Sequence, residues 1–149
     1  MSEALKGIRV VDLSRILAGP WASQMLADMG AEVIKVERPE KGDDTRHWGP
    51  PFIKPAQGDE PAQAAYYHCA NRNKQSIAID ITQAQGQKVI KDMIAKSDVL
   101  IENYKVGGLE KYGLSYQQVK AINPKLVYCS ITGFGQSGPY AHKAGYDAM

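Results

Sequence analysis

The stretch from Gly7 to Glu37, GIRVVDLSRILAGPWASQMLADMGAEVIKVE, constrains this chain more than any other. Ile8, Val10, Val11 and Leu13 form a short apolar run rich in β-branched residues, the pattern of a strand buried on both faces. A turn follows at Leu17-Ala18-Gly19-Pro20, and Pro20 suits a first helical position, where its missing N–H would have no partner anyway. Trp21, Met25, Leu26 and Met29 then recur at helical spacing, which predicts one apolar face turned to the core. Gly30 can take the left-handed conformation that stops a helix. Ala31 to Val36 predicts a second strand, ended by Glu37-Arg38-Pro39. The result is one strand–helix–strand unit. Such a unit cannot cover its own sheet edges, so the remaining residues must add strands and helices.

With 149 residues there is enough chain for one domain with a real core. The net charge of +2 implies no general attraction to nucleic acid. Two cysteines, Cys69 and Cys129, sit in apolar stretches and are expected to be small core residues. That favours a reduced setting, with a cytoplasmic location expected, over a disulfide framework. The opening residues contain no apolar leader, and no run approaches the ~20 apolar residues of a membrane span. The end at Tyr146-Asp147-Ala148-Met149 begins a helix-compatible run without closing it. This predicts an interrupted chain, an exposed apolar edge and self-association into a homo-oligomer.

From Arg38 to Glu60 the sequence is irregular and rich in proline and glycine, a loop of functional length. A short helix is predicted for Pro61 to Cys69, a turn for Asn71 to Lys74 and a strand for Ser76 to Ile81. Thr82 and Gln85 form a potential capping box for a helix to about Ser97, with Val89, Ile90, Met93 and Ile94 inward. Further expected elements are a strand over Asp98–Ile101, a short helix stopping at Gly113, and a helix opened by a second capping box at Ser115 and Gln118. A last strand runs from Leu126 to Thr132. The alternation argues an α/β domain with a mostly parallel sheet.

Open parallel sheets bind ligands beyond the carboxyl ends of their strands. At those ends fall Ser14, Arg15 and Ala18; Glu37 and Arg38; Asp80 and Thr82; Asn103, Tyr104 and Lys105; and a glycine-rich loop, Gly133 to Tyr140, with His142 and Lys143 beyond it. Several cations and few acids converge, which suits a ligand with several negative charges. Gly133-x-Gly135-x-x-Gly138 matches a dinucleotide fingerprint only literally. Pro139 follows at once, and the loop closes the fifth strand rather than the first, so a substrate loop is the better reading. The three histidines and two cysteines have no metal-ligand spacing. No acid–base pair stands out as catalytic, so the residues lead to a polyanion-binding α/β domain.

The same motifs resemble class III coenzyme A transferases: LKGIRVVDLSRILAGP from Leu5, LADMGAEVIKVE from Leu26, GDDTR from Gly42, NRNKQSIAID from Asn71, DVLIENY from Asp98, then ITGFGQSGPY and AGYDAM. The resemblance runs the full length in the same order. It implies a Rossmann-like, mostly parallel sheet with helices on both faces, residues 1–149 forming a CoA-binding domain that is the truncated N-terminal part of a larger one. It implies transfer of CoA from an acyl-CoA to a free carboxylic acid, with CoA as substrate and no tightly bound cofactor, through an aspartyl mixed anhydride. The family's aspartate lies beyond this chain, so no catalytic residue is assigned, and Asp147 is at most a supporting acid. Leu17 and Ala18 would flank the thiol end of CoA and Arg38 would meet a phosphate or the adenine. Ile79, Asp80, Ile81 and Thr82 with Asn103, Tyr104 and Lys105 would line the nucleotide, Lys111 would stand near phosphate, and Lys143, Ala144, Gly145 and Tyr146 would close over the pantetheine arm. Related racemases carry a histidine base where Tyr146 stands, and a phenol is a poor base near neutral pH, which favours a transferase. The remaining alternative is a CoA-binding or dimerisation module without catalysis. The acyl group expected is dicarboxylic, succinyl or glutaryl.

Overall fold

The computed structural model describes residues 3–54 and 61–146. The expectation for Asp147 and the later part of the Arg38–Glu60 loop therefore fall outside the described residues. Five parallel strands form the sheet: β1 Arg9–Asp12, β2 Glu32–Glu37, β5 Lys74–Ala78, β6 Val99–Glu102 and β7 Val127–Ser130. Their spatial order is β5-β2-β1-β6-β7. β1 lies centrally, with Val10 opposite Val33 on one side and Val99 on the other. The chain thus winds outward in one direction through β2 and β5, then returns to the centre and winds the other way. The reversal falls beside β1, where open sheets leave a crevice.

Helices cover both faces. Val11 and Leu13 pack with Leu100 against Ile90 and Ile94 of α3 (Ala84–Ile94) and Val119 of α4 (Tyr116–Ile122). Val10, Val33 and Ile101 pack on the other face against Ala27 of α1 (Ala18–Asp28). The central strands are buried on both sides, which is why they lack an apolar–polar alternation. Between β2 and β5 the chain makes an excursion: a 3-10 turn at Asp44–His47, a small antiparallel pair of β3 (Phe52–Ile53) and β4 (Gln63–Ala64), and α2 (Ala65–Cys69).

Several local readings of the sequence hold. Gly30 and Gly113 have φ of 98° and 69° where their helices stop. The expected capping box of Ser115 and Gln118 is present, with Gln118 Oε1 accepting from the Ser115 N–H at 3.0 Å, and α4 starts there. Others need correction. Trp21, Met25 and Met29 do not face the core; they are 51%, 60% and 43% exposed. The buried face of α1 carries Pro20, Ser23, Gln24 and Ala27 instead. Thr82 caps nothing: its N–H and Oγ both turn back to Asp80 Oδ1, at 2.9 and 2.7 Å, and α3 begins two residues later. That local turn also ends the strand, so β5 lies earlier than Ser76–Ile81. Val89 faces solvent and Cys69 is exposed.

Candidate functional site

The carboxyl ends of the strands are tied together by buried acids. Asp12, at the end of β1, accepts from the N–H and Oγ of Ser14 at 2.9 and 2.5 Å through one oxygen. Its other oxygen takes Ser23 Oγ at 2.5 Å and the Lys74 ammonium at 3.1 Å. One carboxylate thus joins β1, α1 and β5. Burial pushes Lys74 down to about 8, against the opposing charge of Asp12. Lys35 on β2 is 1% exposed and survives burial because it meets Asp43 at 2.9 Å and Ser14 O at 2.8 Å.

Glu37, at the end of β2, is the hub of the excursion. Arg46 donates to both of its oxygens, at 2.7 and 2.6 Å, in a two-pronged pair. Tyr67 Oη, Ser76 Oγ and the Asp43 N–H add bonds at 2.8, 2.6 and 2.7 Å. Burial alone would raise the Glu37 carboxyl; these donors outweigh it and hold the group down at about 2. Burial and the Glu37 charge push the Tyr67 phenol up. The Arg46 guanidinium lies 3.7 Å from the centre of the Tyr67 ring. Arg46 is therefore a structural cation, not one available to a ligand.

Above this layer lie two adjoining cavities. The first, about 200 Å³, is floored by Leu13, Ser14, Lys35 and Asp43 and walled by Arg15, Arg38, Ile79 to Thr82, Tyr104 and Tyr112. The second, about 460 Å³, runs from Ala18, Asn103, Tyr104 and Lys105 under Gly133 and Phe134 to Lys143–Tyr146. Tyr104 lines both. Burial pushes its phenol up, and the Arg15 charge opposes that shift.

Of the sequence-derived residues, Arg38, Ile79, Asp80, Ile81, Thr82 and Tyr104 share the first cavity. Ala18, Asn103, Tyr104, Lys105, Lys143, Ala144, Gly145 and Tyr146 share the second. Leu17 lines neither, nor does Lys111, whose ammonium sits 4.8 Å from the centre of the Tyr112 ring. Asn103 has its amide engaged by the backbone of Arg15, at 2.8 and 2.7 Å. The sequence places Arg15 at the end of the first strand without giving it a ligand role, and the Lys35–Asp43 pair was not singled out. Position after the first strand was a signal for Arg15; nothing local marks Lys35, since a lysine in a strand usually reads as solvated.

The roof of the second cavity is the loop from Gly133 to Tyr146. Gly133 and Gly145 abut: a Cβ on Gly133 would sit 2.5 Å from Gly145 Cα, so both positions need glycine. Phe134 and Tyr140 rings meet edge to face at 5.8 Å, and Lys143 Nζ lies 4.1 Å from the Tyr140 ring centre. Gln136 donates to Ser130 Oγ at 2.8 Å, and Ser130 bonds the buried Glu102. Burial pushes the Glu102 carboxyl up. Thr132, on the cavity wall, has a buried Oγ1 with no hydrogen-bond partner among the described residues. An orphaned buried hydroxyl facing a cavity is where a ligand acceptor or donor fits.

Comparison with known proteins agrees with this geometry. The sequence profile described as CoA-transferase family III matches residues 5–149. A succinate–glutarate CoA-transferase of Agrobacterium fabrum is 61% identical over 143 residues, covering 96% of this chain and 36% of the relative. Human succinyl-CoA:glutarate CoA-transferase is 51% identical over 145 residues, 97% of this chain and 32% of the relative. The crystal structure of a CAIB/BAIF family protein from Brucella suis superimposes with a TM-score of 0.93 at 56% identity, covering all of this chain and 38% of that one. The chain spans about a third of the length of the curated relatives it matches.

Proposed function

Because the chain belongs to CoA-transferase family III, we propose that its two cavities seat the CoA of a thioester during transfer of CoA between carboxylic acids. That Tyr104 lines both cavities carries this reading. The first has two arginines and suits the phosphorylated nucleotide end. The second is the larger of the two, with the glycine-rich loop over it, and suits the pantetheine arm and the thioester. Backbone N–H groups of such a loop can stabilise the oxyanion that develops on the attacked carbonyl. The names of the relatives support succinate and glutarate as the acid pair.

The reaction also needs an attacking carboxylate. Asp12, Glu37, Asp43 and Glu102, the acids at the ends of β1, β2 and β6 and in the excursion, are all held by hydrogen bonds. The family resemblance implies a nucleophile among residues outside these 149, and on that proposal the chain is a binding half of the site. Exchange between succinyl-CoA and isotopically labelled glutarate tests this. The chain alone should show no label in glutaryl-CoA, while a reading frame extended past Met149 should. Turnover by the 149 residues alone would contradict it.

A further inference from the structure

The turn leaving β1 is held in a conformation its sequence resists. Ile16 has a φ of 69°, the left-handed region, which a β-branched residue adopts only under constraint. The constraints are visible. The Ile16 N–H points to the Asp43 carboxylate, 3.2 Å from one oxygen. The Arg15 N–H and carbonyl are both taken by the Asn103 amide. The result is that Arg15 projects over the first cavity beside Arg38, a residue of the next strand end.

The two guanidiniums share one carboxylate. Arg15 Nη2 meets one oxygen of Asp44 at 2.7 Å, and Arg38 Nη2 meets the other at 2.5 Å. The trio carries a net charge of +1. Its side chains are 41%, 46% and 32% exposed. Exposed pairs of this kind contribute little, so Asp44 holds the arginines loosely. A phosphate monoester carries about −1.5 to −2 charge and three acceptor oxygens, enough to engage both guanidiniums at once.

We infer that Arg15, presented by the strained Ile16 turn, is a phosphate ligand that works as a pair with Arg38, with Asp44 spacing the two guanidiniums until the phosphate arrives. The inference rests on the CoA-binding reading and adds to it a second arginine and the device that aims it. Lysine at position 15 keeps the charge but not the planar fork.

The test is calorimetric titration of three probes into the chain: adenosine 3′,5′-bisphosphate, CoA and pantetheine. Arg15→Gln should weaken the bisphosphate and CoA by roughly tenfold or more, the loss of one charge-assisted contact, and leave pantetheine unchanged. Arg15→Lys should recover part of the loss. Bisphosphate binding by Arg15→Gln equal to wild type would overturn the inference. So would an equal loss for pantetheine, which would mean that the site had deformed. Wild-type binding of pantetheine without the bisphosphate would remove the arginine pair as a phosphate site and leave the thiol-arm reading standing. Wild-type binding of none of the probes would remove both.

Discussion

The two ends of the crevice are built in opposite ways. On the β2–β5 side the loops are nailed down by buried charge: Glu37 with Arg46, Lys35 with Asp43, Lys74 with Asp12. On the β7 side the roof is held by ring contacts, an exposed cation over Tyr140 and a backbone contact between Gly133 and Gly145. Breaking a buried, fully hydrogen-bonded pair leaves an uncompensated charge, while the ring contacts can be lost and remade at small cost. The difference teaches which part is preformed. The β2–β5 end, where the proposed nucleotide site lies, rests on buried ion pairs, and the β7 end, over the proposed thioester site, rests on contacts that are more easily remade.

The largest break in that comparison is Glu37→Ala. It strands the Arg46 guanidinium, the Tyr67 and Ser76 hydroxyls and the Asp43 N–H, and should cost about 3–5 kcal/mol in denaturant unfolding. A loss under about 1 kcal/mol would show that the excursion is anchored otherwise. Next in size is the acid response. Glu37 has its carboxyl lowered from 4.5 to about 2, so its contribution is complete above pH 4.5 and is lost as pH falls toward 2. The shift corresponds to roughly 3 kcal/mol. Unfolding curves across that window should fall steeply for the wild type and much less for Glu37→Gln. Glu102 acts in the opposite sense, because its raised carboxyl gains protons more readily in the fold than out of it.

On the β7 side the effects should be smaller and local. Gly133→Ala drives a methyl into Gly145 and should cost about 1–3 kcal/mol. Hydrogen exchange should quicken over residues 133–146 and stay unchanged at β2 and β5. Faster exchange throughout would mean that the roof is part of the core. Smallest is Lys143→Ala, which removes an exposed cation–ring contact worth about 0.5–1 kcal/mol, a shift near the limit of a thermal melt.

Much of this was legible in the residues. Strand and helix alternation gave the sheet and its parallel sense, and the glycines at 30 and 113 marked real helix ends. The cationic rim was legible only in part, because ion pairing is non-local. Arg38 and Arg46 both fall in the loop after the second strand, yet Arg46 is bound to Glu37 and Arg38 to Asp44. The α1 face was misread for a related reason. Periodicity locates an apolar stripe but not its partner. Ser23 and Gln24 are buried because Asp12, the Cys69 carbonyl and the Arg72 N–H need hydrogen bonds there. Trp21, Met25 and Met29 are left outward by the same rotation of the helix. The strain at Ile16 had no sequence signal, since it is imposed by Asn103 and Asp43 from elsewhere in the chain.

On the proposed function, CoA lies along the strand ends across both cavities. Backbone amide chemical-shift mapping during titration with CoA tests it most directly. The account expects the perturbed residues to trace the crevice, from Arg15, Arg38 and Ile79–Thr82 through Tyr104 to Gly133 and Lys143–Tyr146. Perturbations gathered on the outward face of α1 or along the outer edge of β7, with the strand ends silent, would contradict it.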